Sequence, residues 1–199
     1  MAKEKAYEKT CVQLVLIKEG TYDLKRQLTI ACPISIHGAG QDTTILTGYA
    51  IEIQYGTKEE KKRVDMQGMT MKGSSQSGLY NNNGLSFLCK DMTFTQCGHS
   101  GVFAENTKGR LINCVITQCG DSGIACYEYA LIQMAGDQTK VNGNVTSGRG
   151  YYGLHTSDTS SIIHLLFPLT KESVSTNNHG GGNYNTHGTI QTVNTFDTL

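Results

Sequence analysis

Apolar and polar residues alternate in short runs along this chain, as in Met92-Thr-Phe-Thr95 and Leu111-Ile-Asn-Cys-Val-Ile-Thr117, with Gly, Asn, Asp and Ser between the runs. A period of two marks half-buried strands, and frequent turn formers keep those strands short. The runs themselves repeat. The stretch Met92 to Ala104 returns as Cys114 to Cys126, 22 positions later, and Met69-Thr-Met-Lys72 with Ser77-Gly-Leu-Tyr80 forms an earlier copy 23 positions upstream. Such a period marks stacked units, each burying its apolar face against its neighbours. About 22 residues supply three short strands and three bends. A rise of about 4.8 Å per circuit pairs each strand with its equivalent in the next.

The expected fold is therefore all-β: a single-stranded parallel β-helix of about seven circuits, counted over residues 28 to 192. One domain spans 1–199, with a cap and first strand over 1–27, core circuits over 28–165, and an irregular loop and last strand over 166–199. Aligning the circuits predicts inward columns Met69/Met92/Cys114, Met71/Phe94/Ile116 and Leu79/Val102/Ile124/Leu154. The last step is 30 residues long, so about eight extra residues form a loop within Asp137–Gly150. Long loops are where function tends to sit. A bend column, Asn83/Asn106/Glu128/Asp158, has residue types that tolerate left-handed turns, which favours a structural ladder over a binding one. The Gly/Asn-rich stretch Asn177–His187 is expected to cover the far end of the solenoid.

The opening carries a more particular pattern, Leu14-Val-Leu-Ile-Lys-Glu-Gly-Thr-Tyr-Asp-Leu24, then Leu28-Thr-Ile30, then Pro33-Ile-Ser-Ile-His-Gly-Ala-Gly-Gln-Asp-Thr-Thr-Ile-Leu46. This resembles the first circuits of right-handed parallel β-helices of the pectin-lyase-like superfamily, over about residues 12 to 165. Gly38 and Gly40 are expected to permit sharp turns there, and the resemblance implies a short N-terminal capping segment, expected over residues 3–10. The resemblance implies polysaccharide lyases, hydrolases or mannuronan epimerases, with a site on an outer face or in a groove between loops. Tyr152-Gly-Leu-His155 is similar to the Tyr-Gly-Phe-Asp-Pro-His run of the epimerases, without its Asp and Pro.

Composition narrows the field. Seventeen basic and 17 acidic residues give zero net charge, against a broad grip on nucleic acid or an anionic membrane. The mixed-sign run Lys58–Arg63 reads as a solvated loop. No apolar stretch is long enough for a signal core or a membrane span, so the chain is expected to be soluble. Seven cysteines lack CxxC pairs and interchange with Met and Ala in the repeat, so buried free thiols and a reducing compartment are expected. Phosphate-cradling loops, a Gly-x-Ser-x-Gly elbow and metal-ligand spacing among His37, His164, His179 and His187 are absent, so no cofactor or metal is expected. Paired carboxylates for inverting hydrolysis are missing. Arg26, Arg63, Arg110 and Arg149 are scattered without the repeated acids of a calcium-dependent lyase.

The chemistry-bearing residues fall in columns. Gln76, His99, Asp121 and Tyr151 align, with Ser77, Ser100, Ser122 and Tyr152 beside them, putting His99 and Asp121 about one strand spacing apart. If the chain is catalytic, His99 as base, Asp121 as orienter and Tyr152 as acid would suit epimerisation or β-elimination on a uronate. A polar ladder flanking the glycine bends is the bland alternative. Tyr80, Phe103, Ala125 and His155 form an outward column, with Asn82, Glu105, Tyr127 and Ser157 next to it. Aromatic faces beside polar groups hold sugars, so Tyr80, Phe103, Glu105, Tyr127 and His155 are candidate contacts for an extended acidic polysaccharide. They could equally pack beneath the long loop. The competing reading is a non-catalytic structural or attachment protein whose rigid surface self-associates or meets partners.

Overall fold

The computed structural model describes residues 14–55, 63–196 and 198–199. The expected capping segment 3–10 and most of the 58–63 charge run lie outside them. The chain is an all-β parallel solenoid of about eight turns with little helix. One ladder contains eight strands, from Leu14–Ile17 through Ile34–Gly38, the first half of Val64–Lys72, the first half of Phe87–Thr95, Lys108–Ile112, Leu131–Ala135 and Ile162–Leu166 to Thr189–Val193. A second face runs from Gly20–Leu24 to Ser175–Thr176. The third is a seven-stranded sheet from Leu28–Ile30 through Ile51–Ile53, Leu79–Asn82, Val102–Glu105, Ile124–Tyr127 and Tyr152–Thr156 to Gly182–Tyr184. The turn beyond the expected seven comes from the opening strands, which pair in register with the next circuit ahead of Leu28.

The expected inward columns form. Leu79, Val102, Ile124 and Leu154 pair in succession, as do Met71, Phe94 and Ile116, and Met69 pairs Met92. All of these, with Cys114, are fully buried. A stacked core of this kind gives each side chain its apolar contacts above and below, so the burial that stabilises one circuit exists only while its neighbours are in place.

Bends are held by a second set of columns. Asn83, Asn106 and Glu128 have φ of 56°, 45° and 35°, and Asn106 Nδ2 donates to Asn83 Oδ1 at 2.5 Å. The column is structural as far as Glu128. Asp158 departs from it, its carboxylate accepting from the Ser160 amide at 2.7 Å. An inward polar ladder runs Cys97, Cys119, Asn144, Asn178. The side chain of each donates to the carbonyl two residues before it, and Asn144 Nδ2 also reaches Asn178 Oδ1 at 3.0 Å.

Three expectations need correction. Gly38 has no positive φ; it is required because a Cβ there would sit 2.3 Å from the Gly68 carbonyl oxygen of the next circuit. The stretch 177–187 is no irregular cover but carries another circuit, with Gly182–Tyr184 pairing Tyr152 and Leu154. Its apolar period is lost because the asparagines Asn178, Asn183 and Asn185 set its register through side-chain hydrogen bonds. Finally, Cys32 is disulfide-bonded, whereas Cys89, Cys97, Cys114, Cys119 and Cys126 are free and buried. The free thiols occupy the repeat's inward positions and Cys32 lies ahead of the repeat, half-buried, so the uniform free-thiol premise for a reducing compartment does not hold.

Candidate functional site

The repeat Cys-Gly-His-Ser-Gly followed by Cys-Gly-Asp-Ser-Gly builds one bend twice. The Asp121 amide donates to the His99 carbonyl and the His99 amide to the Gln76 carbonyl, both at 3.1 Å. Gly120 allows the stack to close: a Cβ there would lie 2.1 Å from the Gly98 carbonyl oxygen. Gln76, His99 and Asp121 are thereby set on three successive circuits. Ser77, Ser100 and Ser122 follow them, buried, and Ser122 Oγ has no hydrogen-bond partner.

The long loop lies where its length suggested. Circuit spacing is 25 residues at Val115–Lys140 and 30 at Ile124–Leu154, so most of the excess falls after Asn142. The amides of Val145, Thr146 and Ser147 donate to the carbonyls of Asp121, Cys119 and Gly120, tying the start of the loop to the preceding bend. Val145 is fully buried at φ 62°, a backbone region that costs a β-branched residue energy. The loop then carries Arg149 and Tyr151 back over the polar column. Ser147 Oγ donates to Asp121 Oδ1 at 3.2 Å, and Arg149 Nη1 lies 4.0 Å from the same oxygen.

Together these parts enclose an open cleft of about 470 Å³. Gln76, His99 and Asp121 with their serines, the aromatic residues Tyr80, Phe103 and Tyr127, and Arg149 and Tyr151 from the loop all line it. His99 and Asp121 of the proposed catalytic set are thus in one cleft, with the Asp121 carboxylate engaged by the loop. Tyr152 lies beside the cleft, stacked on His155 with centroids 5.9 Å apart, while Tyr151 is the tyrosine of this pair that lines it. Arg149 and Tyr151 were missed as site residues. Tyr151 had a signal, since the repeat aligns it with Gln76, His99 and Asp121, whereas the only signal for Arg149 is its place in the extra length of one circuit. Arg149 lies beside the single acid Asp121 because the loop folds back one circuit.

The aromatic residues form a continuous stack along the axis. Tyr80 and Phe103 rings are 4.9 Å apart at 13°, Phe103 and Tyr127 5.2 Å at 28°, and Tyr127 and His155 5.7 Å at 31°. Phe103 has both faces covered by its neighbours, so the cleft meets ring edges and hydroxyls. Glu105 lies across from Asn82 and Tyr127. Burial, and then the charge of Glu128, raises its carboxyl above the usual range. Burial also raises the Tyr127 hydroxyl, followed by the effects of Tyr151, Asp121 and Glu105.

His155 is buried at the end of the stack, with Nδ1 3.5 Å from Asn185 Nδ2, which also lies 3.2 Å from His187 Nδ1. Burial, and then the nearby His187, lowers its affinity for a proton. No group of three or more His, Cys, Asp or Glu suited to a metal ion occurs among the described residues, and none of their helices is long and apolar enough to cross a membrane. No protein-family model, curated protein or solved structure matches the chain.

Proposed function

We propose that this solenoid is a carbohydrate-binding module whose cleft holds a short stretch of glycan. One observation carries the reading: hydrogen-bonding side chains from three successive circuits and three aromatic residues line a single cleft together with residues of the long loop. Polyhydroxylated ligands need many donors and acceptors at fixed spacing next to apolar surface, and a stack of circuits supplies that spacing at about 4.8 Å. Binding is favoured over turnover. In a proton-abstracting reaction His99 would be the base and Asp121 its orienter, yet the Asp121 carboxylate is held by Ser147 and Arg149, and Tyr152 lies outside the cleft.

The test is titration of the full chain with a panel of oligosaccharides, followed by calorimetry and by ultraviolet absorbance for unsaturated products. Saturable binding that weakens at least about tenfold in His99→Ala, a loss of about 1.4 kcal/mol, supports the reading. Binding untouched by His99→Ala moves the ligand elsewhere. Product formation would make the chain an enzyme. A second reading, a structural or attachment protein, is favoured by the ring faces of Phe103 being covered by its own neighbours. It predicts no sugar binding, together with self-association or capture of a protein partner.

A further inference from the structure

We infer that the glycan this cleft takes is uncharged, a neutral oligosaccharide and not a polyuronate; the inference rests on the carbohydrate-binding reading. The ground is the distribution of charge on this face. Glu52 pairs Tyr80 in the outward column that leads into the cleft, Glu105 lies between Asn82 and Tyr127, Glu128 follows at the next bend, and Asp121 is in the cleft itself. Arg149 is the one lysine or arginine among the lining residues, and its guanidinium lies 4.0 Å from the Asp121 carboxylate, which offsets its charge.

The anions of this face already sense one another. After burial, Glu128 is what raises Glu105, and Asp121 and Glu105 both contribute to raising Tyr127. Charges closer than the screening length, about 10 Å at 0.1 M salt, act together. A polyuronate would add one carboxylate per sugar to that set, and like charges facing each other oppose binding. A neutral sugar meets no such penalty. Its hydroxyls can donate to the Asp121 carboxylate, while Gln76 and His99 offer further polar contacts on the adjacent circuits.

The experiment compares, by calorimetry, neutral oligomers of glucose, xylose, mannose and N-acetylglucosamine with galacturonate, mannuronate and guluronate oligomers of the same lengths. Salt is set at about 20 and about 300 mM, on either side of physiological screening. The expected result is a neutral oligomer that binds at least about tenfold tighter than any uronate at low salt, with affinity insensitive to salt, and a gap that narrows in Glu105→Gln. Uronate binding as tight as or tighter than neutral binding at low salt, weakening as salt rises, would overturn the inference and leave the glycan reading standing. Binding of no sugar at all would overturn both.

Discussion

The ring of Tyr127 lies 5.2 Å from that of Phe103, although the residue paired with Phe103 across the strands is Ala125. Ala125 leaves a gap in the outward aromatic column, and the tyrosine two residues on leans across to fill it, leaving Ala125 nearly buried. Stacked pairs contribute about 0.5–1.5 kcal/mol beyond their burial, and Tyr127 makes contacts on both sides. Tyr127→Ala should therefore lower unfolding free energy by about 2 kcal/mol in urea, and Tyr127→Phe by much less. Equal losses would mean that the hydroxyl, not the stack, matters.

Gly120→Ala tests the backbone stacking beneath the cleft. Its Cβ would meet the Gly98 carbonyl oxygen at 2.1 Å, so the bend must shift, at a cost of about 1–3 kcal/mol. Gly150, which has open space around it and no positive φ, is the control, and Gly150→Ala should be close to neutral. Thermal melts of the two variants decide the matter.

Much of this architecture was legible in the sequence because a parallel stack pairs like with like, so the repeat offset is the strand register. That logic located Met71/Phe94/Ile116 and put His99 and Asp121 on adjacent circuits. It failed where register passes to side-chain amides, as at Asn178 and Asn185, since asparagine there is indistinguishable in sequence from asparagine in a loop. It also could not foresee the direction in which the 143–151 loop folds. That direction depends on amide hydrogen bonds to the preceding bend and decides that Arg149 and Tyr151, not Tyr152, reach the cleft. Ring orientation was likewise hidden: spacing gives a column of aromatic residues, not whether their faces are open.

His155 sets a pH dependence. Burial and His187 depress its proton affinity in the folded chain below the ordinary value near 6.5, so between those two values the unfolded chain binds more protons. Stability from this group is present above about pH 6.5 and is lost as pH falls from there toward the folded value. Chemical denaturation from pH 7.5 downward should show the decline, and His155→Gln should flatten it. A profile unchanged by the substitution would assign the titration elsewhere.

The buried thiols should resist alkylation. Desolvation pushes Cys114 up to about 12 and raises Cys89 and Cys126 as well, so little thiolate is present at neutral pH and none of it is accessible. Iodoacetamide mass mapping under native conditions should find Cys89, Cys114 and Cys126 unmodified. All three should label in denaturant.

The last prediction concerns the loop over the cleft. Its start is fixed by backbone bonds from Val145, Thr146 and Ser147 and its end by the Tyr151 carbonyl, which accepts from the Gly181 amide at 2.8 Å, while Asp121 engages the part between through Ser147 Oγ and the distant, largely exposed Arg149. An ion pair with one exposed partner contributes little, within about 1 kcal/mol, so Asp121→Ala should leave the global melt nearly unchanged. Its effect should be local: amide exchange should quicken over residues 148–151, while the strands Val102–Glu105 and Ile124–Tyr127 keep their protection, because their bonds do not involve the loop. Hydrogen exchange read by mass spectrometry separates the two regions. If exchange quickens equally in both, Asp121 supports the stack itself, and the loop is not an independently held wall of the cleft.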